Sequence, residues 1–238
     1  MSTRIQLHPD LIQNRKQALV QMCLAAVAGY VDAYGLIKFK TYLSFMSGNT
    51  TQTGSLLAGG NLLNAKLAIT AICSFFFGVF LGTVVGQSRR LTLSAMPVVP
   101  VASGLLMFLL LEQTVGLGNL VSVLLLGSIM GYMNTASSLV GNQPLSPDFI
   151  TGTLNHMAVH LASALFSKYP SDAQAPWDTH LRRYLVLLIV WSSFIFGAIS
   201  GTIAFKYLTN FSLCFPILLL TGLAVAQYAG RADHQKPT

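Results

Sequence analysis

Ser47-Gly48-Asn49-Thr50-Thr51 interrupts an otherwise apolar length of chain, and Thr151-Gly152-Thr153 repeats the interruption in the second half. Both stretches are too polar and too flexible to face lipid along a helix. Breaks in membrane segments are tolerated only inside protein or beside a water-filled cavity. Each stretch therefore reads as the start of a short helix, and the pair as the place to look for function.

The surrounding composition sets the class. Of 238 residues 53% are hydrophobic and 9% charged, the mean hydropathy is +0.61, and the charges fall between apolar runs of spanning length. This predicts an all-α polytopic membrane protein. The net charge of +7 needs no nucleic-acid partner, because basic residues at span ends orient a protein against anionic lipid and the translocon. The lipid bilayer is the expected partner. Cys23, Cys73 and Cys214 lie inside apolar runs without metal-ligand spacing and read as buried small hydrophobes. No metal or cofactor is expected.

Outward from the two motifs, six spans are expected, over about residues 18–37, 67–87, 95–111, 120–140, 184–205 and 213–228. Short helices follow each motif, over about 48–58, ended by Gly59-Gly60, and about 152–166. An N-terminal arm (1–16) and a tail (230–238) flank two membrane regions, 17–112 and 119–229.

Those regions resemble each other. GYVDAYGL from Gly29 is matched by GYMNTASS from Gly131, SGNT from Ser47 by TGTL from Thr151, and FGVFLGT from Phe77 by FGAISGT from Phe196; Pro97 then falls opposite Pro216. The shared order argues for a duplicated half. The distribution of lysine and arginine decides its sense. With three crossings per half and both termini cytoplasmic, ten basic residues lie inside and only Lys38, Lys40, Lys66 and Lys206 outside. Eight crossings weaken the split to nine against five. The expectation is six transmembrane helices plus two short re-entrant or broken helices, arranged as two three-span inverted repeats.

That geometry has a chemistry. A half-helix starting at Gly48 or Gly152 would offer unpaired N–H groups and the positive end of its dipole, flanked by the hydroxyls of Ser47, Thr50, Thr151 and Thr153. Anionic or polar solutes are stabilised at such ends, and transporters with inverted repeats bind substrate there. The plainer reading makes Ser47 and Thr151 helix N-caps. Asn49 has no amide counterpart, since Thr153 stands in its place.

Asp32 is an acid within a span, with the neutral Asn134 as its repeat counterpart, and is a candidate site for a coupling proton or cation. Its plain alternative is to reach interfacial water or pair with Lys38 or Lys40. Glu112 reads as an interfacial charge. His156 and His160 share a helix face and could line a polar path. The rows Gly78, Gly82, Gly86 and Gly197, Gly201 read as helix contacts.

GYVDAYGL followed by FMSGNTTQTGSLLAGG, from Phe45, resembles the signature of the YoaK family of bacterial membrane proteins. The resemblance spans nearly the whole chain and is carried by Gly29, Asp32, Gly48, Asn49 and Thr50; Ser47 stands where many relatives carry Thr. It implies a small multi-pass protein of the bacterial inner membrane and no assigned activity.

The leading expectation is a secondary transporter or channel for a small polar or anionic solute, bound between the two half-helix starts. The alternative is a non-transporting membrane interaction or assembly protein whose repeat serves packing alone, and a homo-oligomer fits either. No Ser/His or paired-carboxylate constellation points to an enzyme.

Overall fold

The computed structural model describes residues 9–87, 98–135, 139–140, 143–144, 150–166, 168–173 and 175–234. Among them lie helices α1 (Pro9–Phe39), α2 (Met46–Ala58), α3 (Leu62–Gln87), α4 (Val98–Thr114), α5 (Asn119–Asn134), α6 (Ile150–Leu165), α7 (His180–Leu208) and α8 (Cys214–His234). A 3-10 turn, Thr209–Leu213, joins α7 to α8. Leu139–Val140 (β1) and Gln143–Pro144 (β2) form a two-residue antiparallel pairing after α5.

Among the described residues four stretches are long and apolar enough to cross a membrane: Arg15–Phe39, Leu62–Gln87, His180–Leu208 and Phe211–Ala229. Val98–Thr114 and Asn119–Asn134 are apolar but shorter. The span expected to reach residue 140 ends at Asn134, where the Thr135 hydroxyl donates back to the Tyr132 carbonyl and closes the last turn. At the other end of the chain's second half, α7 begins earlier than expected. The Thr179 side chain accepts from the Arg182 N–H and caps the helix at His180.

Large apolar side chains point outward, among them Phe76, Phe77 and Phe80 of α3 and Ile195, Phe196 and Ile199 of α7. Patches of this kind suit lipid and are rare on soluble monomers. The cysteines follow the same logic. Cys73 is exposed and Cys23 and Cys214 are partly so, correcting the expectation of buried positions; a bilayer accepts small apolar groups without protein cover.

The helices pair in a regular way. α1 packs along α7 and α3 along α5; α2 lies on α3, α6 on α7, and α4 on α8. Exchanging the first four helices with the last four leaves this set of pairings unchanged. Individual glycines obey the same exchange. A Cβ on Gly29 would fall 2.1 Å from the Phe194 carbonyl oxygen, and one on Gly131 2.1 Å from that of Phe75. A Cβ on Gly78 would meet the Ser128 carbonyl oxygen at 2.0 Å, and one on Gly197 that of Ala26 at 2.0 Å. Both crossings thus rest on glycine, which lets two backbones touch. The core between them holds Leu24, Val31 and Tyr34 of α1, Leu105 and Phe108 of α4 and Leu126 of α5.

Candidate functional site

Past Phe39 the chain turns through Lys40, whose φ of 58° is left-handed, and folds back along α1 before α2 begins. Asp32 is what holds it there. One carboxylate oxygen accepts from the Leu43 N–H at 2.7 Å and the Ser44 N–H at 2.6 Å, and the other from the Ser44 hydroxyl at 2.8 Å. Asp32 lies seven residues before the end of α1, so the returning chain reaches about 10 Å back along that helix. Here α2 starts, below the end of α1.

Asn49 completes the clamp from the other side. Its amide oxygen accepts from the Tyr42 N–H and the Thr41 hydroxyl, both at 3.0 Å, and its NH2 donates to the Tyr42 carbonyl at 2.8 Å. Gln52 donates to the Lys40 carbonyl at 2.7 Å. Asp32 and Asn49 are both buried, where an unmet polar group is costly, so the loop 40–45 and the two side chains specify one another.

These bonds revise the expectation for the first motif. The helix begins at Met46, with Phe45 as N-cap and no side-chain capping bond, so Ser47 is not the cap and stands exposed in the first turn. The Thr50 hydroxyl is also exposed and donates to its own helix at the Met46 carbonyl. Gly48 is needed for packing, because a Cβ there would lie 2.4 Å from the Phe45 ring. Beside the start of α2 the place of an acceptor is already taken by the Asp32 carboxyl group. An anion bound in front of that helix end would have to displace an internal carboxylate.

In the second half α6 begins at Ile150, with Gly152 and Thr153 buried and Thr151 and His156 exposed. Asn134 ends α5, and its amide oxygen is buried without a hydrogen-bond partner among the described residues. Residues 145–149, the counterpart of the loop that Asp32 holds, lie outside the described residues.

The residues just ahead of the two motifs, Phe45 and Ile150, border one cavity of about 360 Å³ between α1, α7 and the starts of α2 and α6. Asp32 and Ala33 line it from α1, Phe45 from the N-cap of α2, Ile150 from the first turn of α6, and Ala198 and Thr202 from α7. Of the predicted site residues only Asp32 is in this lining; Ser47, Gly48, Asn49, Thr50, Asn134, Thr151, Gly152, Thr153 and His156 are not. Phe45, Ala198 and Thr202 lay inside quoted motifs but were not singled out, since their place at the cavity follows from helix packing.

Two further expectations are corrected. Asp32 does not pair with Lys38. That ammonium is ion-paired with Glu112 and donates to the Tyr34 hydroxyl, so Glu112 is no free interfacial charge. His160 finds its partner in His180 at the start of α7, their Nδ1 atoms 2.8 Å apart. Among the described residues no group of three or more His, Cys, Asp or Glu is placed to hold a metal.

Helices of this length and outward apolarity, wrapped around glycine crossings, define an α-helical membrane protein. The chain belongs to the DUF1275 family, described as a protein of unknown function, which it matches over residues 20–226. It is 25% identical over 228 residues to the UPF0700 transmembrane protein RA0705 of Rhizobium meliloti (strain 1021), covering 92% of each chain. It is also 25% identical over 215 residues to the UPF0700 transmembrane protein YoaK of Bacillus subtilis (strain 168), covering 88% of this chain and 92% of the relative. No solved structure matches.

Proposed function

We propose that the protein is a secondary transporter or channel for a small polar solute, taken up in the cavity between Asp32 and the start of α6. The observation that carries this is the meeting of both motif helices at one cavity, with Phe45 and Ile150 on its wall. Asp32 beside the α2 end disfavours an anion there. The start of α6, in the half where the neutral Asn134 stands as the repeat counterpart of Asp32, is where an anionic or polar group would be stabilised. Asp32 acts first as a positioning residue for α2. Coupling to a proton or cation would pass through its carboxylate.

The two halves form an inverted repeat in this reading, with α2 and α6 re-entrant and the termini on the cytoplasmic side of a bacterial inner membrane. The ion pair between the ends of α1 and α4 supports it. Two helix ends on one membrane face are separated by an even number of crossings. α3 and α4 supply two, and a crossing by α2 would make three.

The test is uptake into proteoliposomes across a panel of small polar solutes, with Ala198→Phe as a variant that fills the cavity. A solute carried by wild type and refused by a folded Ala198→Phe protein supports the reading, and equal uptake by both removes the cavity from the path. One observation favours the non-transporting alternative: the polar atoms of Asp32 and Asn49 are bonded within the protein. Failure to carry any solute of the panel would favour it over transport.

A further inference from the structure

A second concavity, of about 570 Å³, lies on the outside of the protein between α1, α7 and α8, and it is apolar. Two of its three serines do not soften it, because Ser193 donates to the Ile189 carbonyl and Ser200 to that of Gly197. On α1 it runs from Leu19 to Tyr30, eleven residues or about 16 Å, which is half of a hydrocarbon core about 30 Å thick. Its length is that of one leaflet. Phe215, stacked on Tyr30 with ring centroids 5.6 Å apart, closes the deep end.

The shallow end is basic. Arg15 precedes Leu19 by one helical turn, and Arg182 precedes Ile189 by two, so each stands above its own groove wall. The two guanidinium groups are close enough to interact electrostatically. Arg182 lies over the Trp177 ring, 4.2 Å from its centroid, in the amphipathic setting usual at a membrane surface. The nearby Asp178 gives both of its oxygens to Arg183 at 2.9 and 2.8 Å, so its charge is shared between Arg183 and Arg182. Among the described residues Arg15 and Arg182 have no ion pair.

We propose that this groove is a binding site for an anionic phospholipid, with one acyl chain between α1 and α7 and the phosphate between Arg15 and Arg182. The apolar trough fits the chain over a single leaflet, and two cations at its mouth, neither in an ion pair among the described residues, fit the headgroup. A zwitterionic lipid brings the same phosphate together with a choline cation, so its net attraction to the two arginines is weaker. The site is separate from the cavity at Asp32 and holds whether or not that cavity carries a solute.

Cys23 lines the groove and reports on it. With Cys73 and Cys214 replaced by Ser, its alkylation by a membrane-permeant maleimide is followed in nanodiscs of phosphatidylcholine, with or without phosphatidylglycerol. Phosphatidylglycerol is expected to slow labelling by up to roughly thirtyfold, the scale of two surface cations on an anionic headgroup. Arg15→Gln with Arg182→Gln should remove that difference, Lys16→Gln should keep it, and inorganic phosphate added to phosphatidylcholine discs should not reproduce it. Equal labelling with both lipids, a difference that survives the double replacement, or protection by phosphate alone overturns the proposal. Should the double variant fold poorly, thermal unfolding of wild type in detergent decides: stabilisation by phosphatidylglycerol over phosphatidylcholine supports the site, and equal stabilisation overturns it.

Discussion

Lys38, in the last turn of α1, is ion-paired with Glu112, near the end of α4, and the Leu117 N–H donates to the second Glu112 oxygen at 3.3 Å. Two helices from one half thus finish at the same place, and the loop that leaves α4 is tied to that place as well. The proposed six-crossing arrangement needs this coincidence. Single cysteines at Lys40, Asn61 and Val115, all exposed, should then label from one side of the membrane in a background without native cysteines. With eight crossings Lys40 would label from the opposite side to the other two, and that result would end the inverted-repeat reading.

The same pair should matter for stability. Lys38 and Glu112 side chains are 19% and 9% exposed, so cutting one partner strands a largely buried charge. Glu112→Gln is expected to cost about 3 kcal/mol, while the double replacement Lys38→Met with Glu112→Leu should cost less than either single change. Thermal unfolding of the three variants in one detergent checks the order.

Glycine substitutions should divide sharply by position. Gly29→Ala, Gly131→Ala, Gly78→Ala and Gly197→Ala each drive a methyl into a facing backbone carbonyl, where no side chain can yield. A loss of about 1–3 kcal/mol is expected at each. A methyl added at Gly222 in α8 would meet nothing within 4 Å, so Gly222→Ala should gain up to about 1 kcal/mol from helix propensity. Comparable losses at Gly29 and Gly131 would also fit a pair related by duplication.

Much of this fold was legible in the chain. Apolar runs placed six of the helices, although α1 begins nine residues earlier, α5 ends six earlier and α8 ends six later than expected, and the rows holding Gly78 and Gly197 were read as the helix contacts they make. The site was less legible. Asn49 and Asp32 were singled out correctly as unusual polar residues, but no local pattern says that a carboxylate will accept from N–H groups eleven and twelve positions later. That depends on the loop turning back at Lys40, a residue without the glycine that usually marks a left-handed turn. His160 was likewise placed with His156 on one helix face, and helical spacing carries no sign of its partner His180, which arrives from the next helix.

The His160–His180 contact should make the packing of α6 on α7 acid-sensitive. One Nδ1 must donate and the other accept, so the pair has no place for a proton on both. Burial, then His180, Arg183 and His156, push the His160 imidazole below its ordinary value of about 6.5, with Asp172 opposing. The folded state therefore resists a proton that the unfolded chain accepts. The contribution is complete above pH about 6.5 and is lost as pH falls through the lowered value. His160→Gln should flatten the fall in melting temperature between pH about 7.5 and about 5. An unchanged slope would assign the acid response to other groups.

Asp32 separates a structural role from a transport role. Asp32→Ala leaves the Leu43 and Ser44 N–H groups and the Ser44 hydroxyl without their acceptor, in a buried site where each such group costs about 1–3 kcal/mol. Asp32→Asn keeps an oxygen for the two N–H groups and an NH2 that can donate to the Ser44 hydroxyl, so it should lose much less. The melting temperatures should fall in the order wild type, Asn, Ala. If Asp32 also carries the coupling proton or cation, the Asn variant will be near wild type in stability yet uncoupled in proteoliposome uptake. If Asn matches wild type in both, the carboxylate only holds the start of α2 in place, and the coupling group must be sought elsewhere. Equal stability of all three proteins would contradict the hydrogen-bonded clamp itself.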